Sequence, residues 1–227
     1  MEETYTLEIA EEIEVVAALI WAEGIAPPRP TEEAFDYLSS VVARAQELGE
    51  DAIPAETRKR VRRMLRYGKY RPSGRGKPAS EFLLRAAIQG KFPLVNCPVD
   101  VNNAVSLDSG LPGSIFDADI AGRRLLLRRG LPGEKYVFNR SGQEIDLEDL
   151  LLVCRMTESG WSPCGNPVKD AMVTKITEAT RNVVAVLYAP ADEPVSELAG
   201  WAARYAELLT DQCGAKNVGH RVIEGAS

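Results

Sequence analysis

One stretch of this chain, residues 98–117, constrains the fold most, because it places a helix, a turn and a strand next to one another. It reads PVDVNNAVSLDSGLPGSIFD. Proline is common at the start of a helix, so residues 99–108 are predicted to form a short helix entered through Pro98. The glycine and proline of residues 110–112 indicate a turn. Residues 114–117 are then predicted to form a strand.

The rest of the chain also mixes predicted helices and strands, which indicates an α+β fold with a mixed β-sheet core flanked by helices. The apolar run 15–21 fits a buried strand or part of a helix, and we interpret it as a strand because Gly24 and a proline cluster follow it. Further strands are predicted over 4–9, 122–129, 150–154, 182–188 and 216–223. Further helices are predicted over 31–48, with Thr31 as the cap, 55–67, 78–89 and 194–209. Residues 70–77 and 159–170 are predicted to be loops.

The length and composition suit a single domain over residues 1–227. We expect this domain to be cytoplasmic and to need neither a metal nor a cofactor. No stretch reaches the roughly 18 apolar residues of a membrane span, and the acidic N-terminus is unlike a secretory signal. The four cysteines form no Cys-x-x-Cys pair and His220 is the only histidine, so a zinc site is not expected. No glycine-rich phosphate loop stands between a strand and a helix.

The charge of the chain is unevenly distributed, although its net value is −6. Residues 1–57 carry fourteen acidic and two basic side chains, whereas residues 58–91 carry twelve basic side chains against Glu81 alone. A concentrated basic segment can hold phosphates even in an acidic protein. The acidic N-terminal segment could equally neutralise it in the folded chain.

Three further segments accompany the 98–117 stretch and together they identify a family. They are Arg71-Pro72-Ser73-Gly74-Arg75, Val153-Cys154-Arg155 and the run TKITEATR at 174–181. With them, the region from about 71 to 190 resembles the editing domain, or B3/B4 domain, of the phenylalanyl-tRNA synthetase β subunit, in a free-standing version without the synthetase. The resemblance implies a B3/B4-like fold, with residues 1–70 as a strand and helix elaboration packed on the core.

The resemblance also implies a function, because that domain binds the aminoacylated end of tRNA and hydrolyses mischarged amino acids. We therefore expect a stand-alone trans-editing protein, an aminoacyl-tRNA deacylase whose partner is tRNA. The alternative is a non-catalytic module on the same fold that binds tRNA or a small ligand.

The resemblance places the catalytic positions at Asn103 and Ser114. Asn103 matches a family asparagine, whereas Ser114 stands where the synthetase domain has a histidine. Asn102 replaces a threonine, and Val186 stands where the family has a glutamate that recognises mischarged tyrosine. These departures imply a smaller or less polar amino acid as substrate. Hydrolysis would depend on substrate hydroxyls or on Ser114.

Two further groups of polar residues are candidates for binding. Arg155 can bind a phosphate or carboxylate in a bidentate manner, and Trp161 can stack on a base. The substrate-binding candidates are Asn102, Asp117, Arg155, Glu158, Thr177 and Thr180. The nucleic-acid-binding candidates are Arg71, Arg75, Lys77 and Trp161.

Each candidate also has a structural interpretation. Asn102, Asn103 and Asp117 could cap helices or make turn hydrogen bonds, and Trp161 could pack on the core. The loop around Arg71 could be a solvated linker.

Overall fold

The computed structural model describes residues 4–225, and within that range it contains two four-stranded β-sheets, a small hairpin and six α-helices. The two ends of the predicted domain, residues 1–3 and 226–227, lie outside the described residues. The strands are β1 (Thr6–Ile9), β2 (Val15–Glu23), β3 (Gly113–Asp117), β4 (Arg124–Arg129), β5 (Lys135–Val137), β6 (Glu144–Asp146), β7 (Leu151–Thr157), β8 (Gly160–Gly165), β9 (Asn182–Pro190) and β10 (Asn217–Glu224). The helices are α1 (Asp36–Leu48), α2 (Ala55–Leu65), α3 (Ala79–Ile88), α4 (Cys97–Ser109), α5 (Ala118–Ala121) and α6 (Val195–Cys213).

The first sheet is antiparallel throughout and has the strand order β10-β2-β9-β3. Its central strands β2 and β9 are almost wholly buried, which explains why both read as continuous apolar runs in the sequence. Helix α6 packs on β2 and β10, and α4 packs on α6 and β3. The sheet thereby holds α4 beside β3, the two elements of the segment that most constrains the fold.

The second sheet has the order β1-β4-β7-β8 and mixes strand directions, because β1 runs parallel to β4 while the other pairs are antiparallel. Buried apolar side chains from both sheets belong to one cluster. The predicted α+β class, a mixed-sheet core flanked by helices, is therefore confirmed.

The N-terminal elements are built into both sheets. Strand β1 pairs with β4 in the second sheet, and β2 lies between β9 and β10 in the first. Helix α1 packs on α3 and α4. Burial of their apolar runs explains why these elements need the later part of the chain as a partner.

The interpretation of Asn102 and Asn103 as helix caps is wrong. Helix α4 begins at Cys97, and the Asn96 side chain caps it by accepting a hydrogen bond from the Val99 backbone N–H at 3.3 Å. Asn102 and Asn103 lie one turn further in, so they do not cap this helix. Because Asn96 is a favourable cap before Pro98, the helix starts earlier than its apolar pattern indicates.

Two other local predictions are corrected. The segment 159–170 is not a loop throughout, since β8 pairs with β7 and places Trp161 opposite Met156. Pro163 is tolerated there because β8 is an edge strand. Thr31 does not cap α1, which begins at Asp36, and its hydroxyl instead donates to the buried Asp100 carboxylate.

Candidate functional site

A pocket of about 270 Å³ lies where α4, β3, the start of α3 and the 166–170 turn meet. Its walls combine apolar side chains with amide, carboxyl and amino groups. The lining residues are Ala79, Val95, Asn96, Val99, Asn102, Asn103, Gly113, Ile115, Asn166, Val168, Lys169, Asp170, Lys175 and Ile176. Two of the predicted site residues, Asn102 and Asn103, are thus in the pocket, and Ser114 lies between two lining residues.

The Asn102 amide is fixed in its orientation by three contacts. Its Oδ1 accepts a hydrogen bond from the Tyr205 hydroxyl at 3.0 Å, and its Nδ2 lies 3.4 Å from both the Gly113 carbonyl oxygen and Asn103 Oδ1. Gly113 is needed for this approach, because a Cβ at that position would lie 2.6 Å from Asn102 Oδ1. Asn102 therefore holds α4 against β3 and orients Asn103.

Asn103 also lines the pocket. It is half-buried, and within residues 4–225 its Nδ2 makes no hydrogen bond. An unpaired amide N–H in a pocket can bind a carbonyl oxygen or an oxyanion of a ligand.

Three side chains form a chain of hydrogen bonds that leads from Asp170 on the pocket wall into the core. Ser114 is fully buried, and its Oγ lies 2.6 Å from Asp170 Oδ1 and 2.8 Å from the Tyr188 hydroxyl. A serine hydroxyl has one proton, so donation from Tyr188 to Ser114 and from Ser114 to Asp170 satisfies both contacts. Ser114 therefore supports the Asp170 carboxylate from inside the fold.

The environment of Asp170 changes its acidity. Burial raises the pKa of this carboxyl to about 7, against the opposing effects of the Ser114 hydroxyl, the Ile115 N–H and the Lys175 charge. The Ile115 backbone nitrogen lies 3.3 Å from Asp170 Oδ2. A pocket carboxyl with a pKa near neutrality can both accept and release a proton. Asp170 is a candidate site residue that no motif of the sequence indicates.

The turn that carries Asp170 is shaped by the buried Asn166 side chain. Asn166 Oδ1 accepts the backbone N–H groups of Val168 and Lys169, both at 2.8 Å, and Asn166 Nδ2 donates to the Tyr136 hydroxyl at 2.5 Å. Asparagine followed by proline is a turn signal in sequence. That signal could have indicated an ordered turn at 166–170, though not its contact with Ser114.

Asp117 and Thr180 are brought together, but away from this pocket. Asp117 Oδ2 accepts the Thr180 hydroxyl at 2.5 Å, and Asp117 Oδ1 accepts the Asp119 N–H at 3.0 Å as the cap of α5. Thr180 Oγ1 in turn accepts the Thr177 backbone N–H at 3.0 Å, while Thr177 itself is exposed. Asp117 therefore caps a helix, which is the structural interpretation offered for it by the sequence.

The remaining predicted binding residues also lie outside the pocket lining. Arg155 donates to the Ile120 carbonyl at 3.0 Å, and Glu158 is exposed in the β7–β8 turn. Trp161 packs on the apolar cluster around Leu150. Arg71 donates to the backbone of its own turn.

Arg75 and Lys77 line a second cleft, which borders α2 and α3. Across residues 4–225, no group of three His, Cys, Asp or Glu side chains could hold a metal ion. None of the helices in the described part of the chain is long and apolar enough to span a bilayer.

Two comparisons with the sequences of known proteins agree with the family resemblance. A family model described as "B3/4 domain" matches residues 71–199. A phenylalanine–tRNA ligase β subunit from Moorella thermoacetica is 35% identical over 102 residues, which cover 44% of this chain and only 12% of that subunit. A crystal structure of an N-terminal fragment of the phenylalanyl-tRNA synthetase β subunit from Pyrococcus horikoshii is similar with a TM-score of 0.48 at 11% identity, over 95% of this chain and 51% of that one.

Proposed function

Because this chain belongs to the B3/4 domain family, we propose that it binds the aminoacylated 3′ end of tRNA and hydrolyses the ester of a mischarged amino acid. The matched relative is a subunit of a phenylalanine–tRNA ligase, which motivates tRNA as the partner. The proposed reaction site is the pocket between α4 and the 166–170 turn.

The observation that carries the proposal is the Asp170 carboxyl on the pocket wall. Its pKa of about 7 leaves much of it ionised at neutral pH, so it can act as a general base. In the proposed step, Asp170 takes a proton from a water molecule while the water oxygen attacks the ester carbonyl carbon. The tetrahedral intermediate then expels the ribose oxygen, which takes the proton back from Asp170.

Two other pocket groups suit the charge that develops during this step. The free Nδ2 of Asn103 can donate to the oxyanion, and the Lys175 ammonium, which is on the pocket wall, adds positive charge. Ser114 has no place in contact with substrate, because it is fully buried. We assign it the role of positioning Asp170 instead of the catalytic role first predicted for it.

The pocket walls favour a small, apolar amino acid. Val99, Ile115 and Ile176 line the pocket, and its volume of about 270 Å³ is just below the roughly 300–1,000 Å³ that is usual for ligand sites. Val186, which stands where the family has a glutamate, is wholly buried opposite Ser114 in the sheet. The sheet therefore offers no carboxylate there for a tyrosine hydroxyl.

The test is deacylation of a panel of correctly charged and mischarged aminoacyl-tRNAs by the purified protein. We expect selective release of one small, apolar amino acid, and loss of that release in Asp170→Asn. The matched control is Asp117→Asn, a buried carboxylate outside the pocket. Failure of the folded protein to release any amino acid would refute hydrolysis and leave a non-catalytic binding module. Release that survives Asp170→Asn would refute the site.

A further inference from the structure

The basic segment of the chain is divided into two halves by its ion pairs. On one side of α2, Arg60 and Arg63 pair with Asp192, with nitrogen–oxygen distances of 3.0 Å, and Arg60 also pairs with Glu193 at 2.9 Å. The neutralising acids therefore come from the turn after β9, and not mainly from the N-terminal segment. This half of the basic segment has its charge compensated within the fold.

The other half opens on a cleft of about 360 Å³ between α2 and α3. Five basic side chains and two carboxylates line it, and the basic ones are Arg58, Arg62, Arg75, Lys77 and Arg85. Both carboxylates are already paired, Glu81 with Arg62 through Nε and Oε1 at 2.5 Å, and Glu50 with Arg58. The cleft therefore has three more basic side chains than carboxylates.

Those three cations are Arg75, Lys77 and Arg85. In the described range of 4–225, their side chains make no ion pair and no hydrogen bond, and Arg75 and Arg85 are exposed. Unpaired cations that share a concave surface concentrate positive potential and attract polyanions. The cleft is therefore suited to a ligand with several negative charges.

The cleft adjoins the proposed reaction pocket. Lys77 lines the cleft and Ala79 lines the pocket, and residues two apart in a chain are separated by about 7 Å or less. Burial, and then the nearby Arg75 charge, lower the pKa of Lys169, which is on the pocket wall. Positive side chains thus border both the pocket and the adjoining cleft.

An exposed aromatic side chain lies among these cations. Phe82 lines the cleft with 41% of its surface exposed. An aromatic ring beside a groove of cations is the combination that binds single-stranded nucleic acid, since the ring stacks on a base and the cations hold phosphates. An acidic protein ligand would bind to the cations of the cleft, but its binding would not require the aromatic ring of Phe82.

From this arrangement we infer that the α2–α3 cleft holds the single-stranded nucleotides that precede the aminoacylated end of the RNA. Phosphates would contact Arg75, Lys77 and Arg85, and one base would stack on Phe82. The inference rests on the proposed function for the identity of the RNA. It adds a binding surface that is formed partly by α2, which precedes the matched B3/4 region.

The test measures the affinity of a 5′-labelled RNA heptamer ending in 3′-CCA over a range of salt concentrations. We expect the double variant Arg75→Ala/Arg85→Ala to lower the slope of log affinity against log salt by about 1.4, at about 0.7 per lost contact. Phe82→Ala should weaken binding about tenfold at every salt concentration and leave the slope unchanged. The matched control is Lys59→Ala/Arg124→Ala, two exposed basic side chains outside this cleft.

The outcomes separate this inference from the proposed function. An unchanged slope in the double variant would overturn the cleft, even if the protein deacylates tRNA. A poly-glutamate peptide that binds while the RNA does not would assign the cleft to an acidic protein and also overturn the inference. If the cleft variants change RNA binding as expected but the protein has no deacylase activity, the inferred cleft is supported and the proposed hydrolysis is refuted.

Discussion

The two ends of β3 carry the same chemical pair in different surroundings. At one end the Ser114 hydroxyl donates to Asp170 at 2.6 Å, and at the other the Thr180 hydroxyl donates to Asp117 at 2.5 Å. Each carboxylate also accepts a backbone N–H. Residue type and hydrogen bonding therefore do not distinguish the two.

The difference lies in what surrounds each carboxylate. Asp117 belongs to a closed local network that caps α5, whereas Asp170 is on the wall of a pocket and connects through Ser114 to Tyr188. A buried pair that faces a cavity can exchange protons with a ligand, and a pair enclosed by its own turn can only stabilise the fold. Access to the pocket, and not the set of hydrogen-bonding partners, therefore separates a candidate base from a helix cap.

The largest expected effect is on catalysis when the pocket carboxylate is removed. Asp170→Asn should lower the single-turnover deacylation rate by about 10²–10⁴, the usual contribution of a general base. Binding of uncharged tRNA should stay within about twofold. Asp117→Asn, assayed under conditions in which the variant is folded, should keep the wild-type deacylation rate. Equal losses of deacylation rate in Asp170→Asn and Asp117→Asn would show that the two ends of β3 do not differ in function.

The second effect is a dependence of the rate on pH. In the proposed step the ionised form of Asp170 is the active one, and burial raises the pKa of this carboxyl to about 7. The rate should therefore fall about tenfold per unit as pH decreases below 7, and should be constant above it. Stopped single-turnover assays between pH 5 and 9 measure this, and a flat profile would contradict the assignment of the base.

A smaller effect is expected at Ser114, which lowers the pKa of Asp170 through its hydrogen bond. Ser114→Ala should move the midpoint of the pH profile upward. Its rate should then be about tenfold below the wild-type rate at pH 6 and equal to it at pH 9. Tyr188→Phe should move it in the same direction by less. A uniform loss at all pH values would instead indicate that Ser114 acts on the substrate or on the fold.

The smallest effect concerns stability at the other end of the strand. Asp117→Asn weakens the bonds to Thr180 and Asp119, and should lower the free energy of unfolding by about 1–3 kcal/mol. Denaturant unfolding monitored by circular dichroism measures it. A change below about 0.3 kcal/mol would show that this pair is dispensable as a cap.

Much of the fold follows from local sequence patterns, and the site does so only in part. Apolar runs identify β2 and β9, because buried strands need no alternation, and helical periodicity identifies α6. The family resemblance indicates Asn103 and Ser114, and the structure has a pocket at Asn103 and next to Ser114. No local pattern indicates Asp170, because its partner is 56 positions away. The single-domain span of 1–227 stays a prediction.

Gly113 and its counterpart Gly165 limit how this site could diverge. A Cβ on Gly165 would lie 2.6 Å from Asp170 Oδ1 and 2.4 Å from the Phe116 ring, as one on Gly113 would meet Asn102. The support of the carboxylate is thus tied to the two backbones, whereas Val99 and Ile176 are only half-buried at the pocket wall. Substitutions in this pocket would therefore change which ligand side chain fits far more readily than they would replace the Asp170 carboxyl.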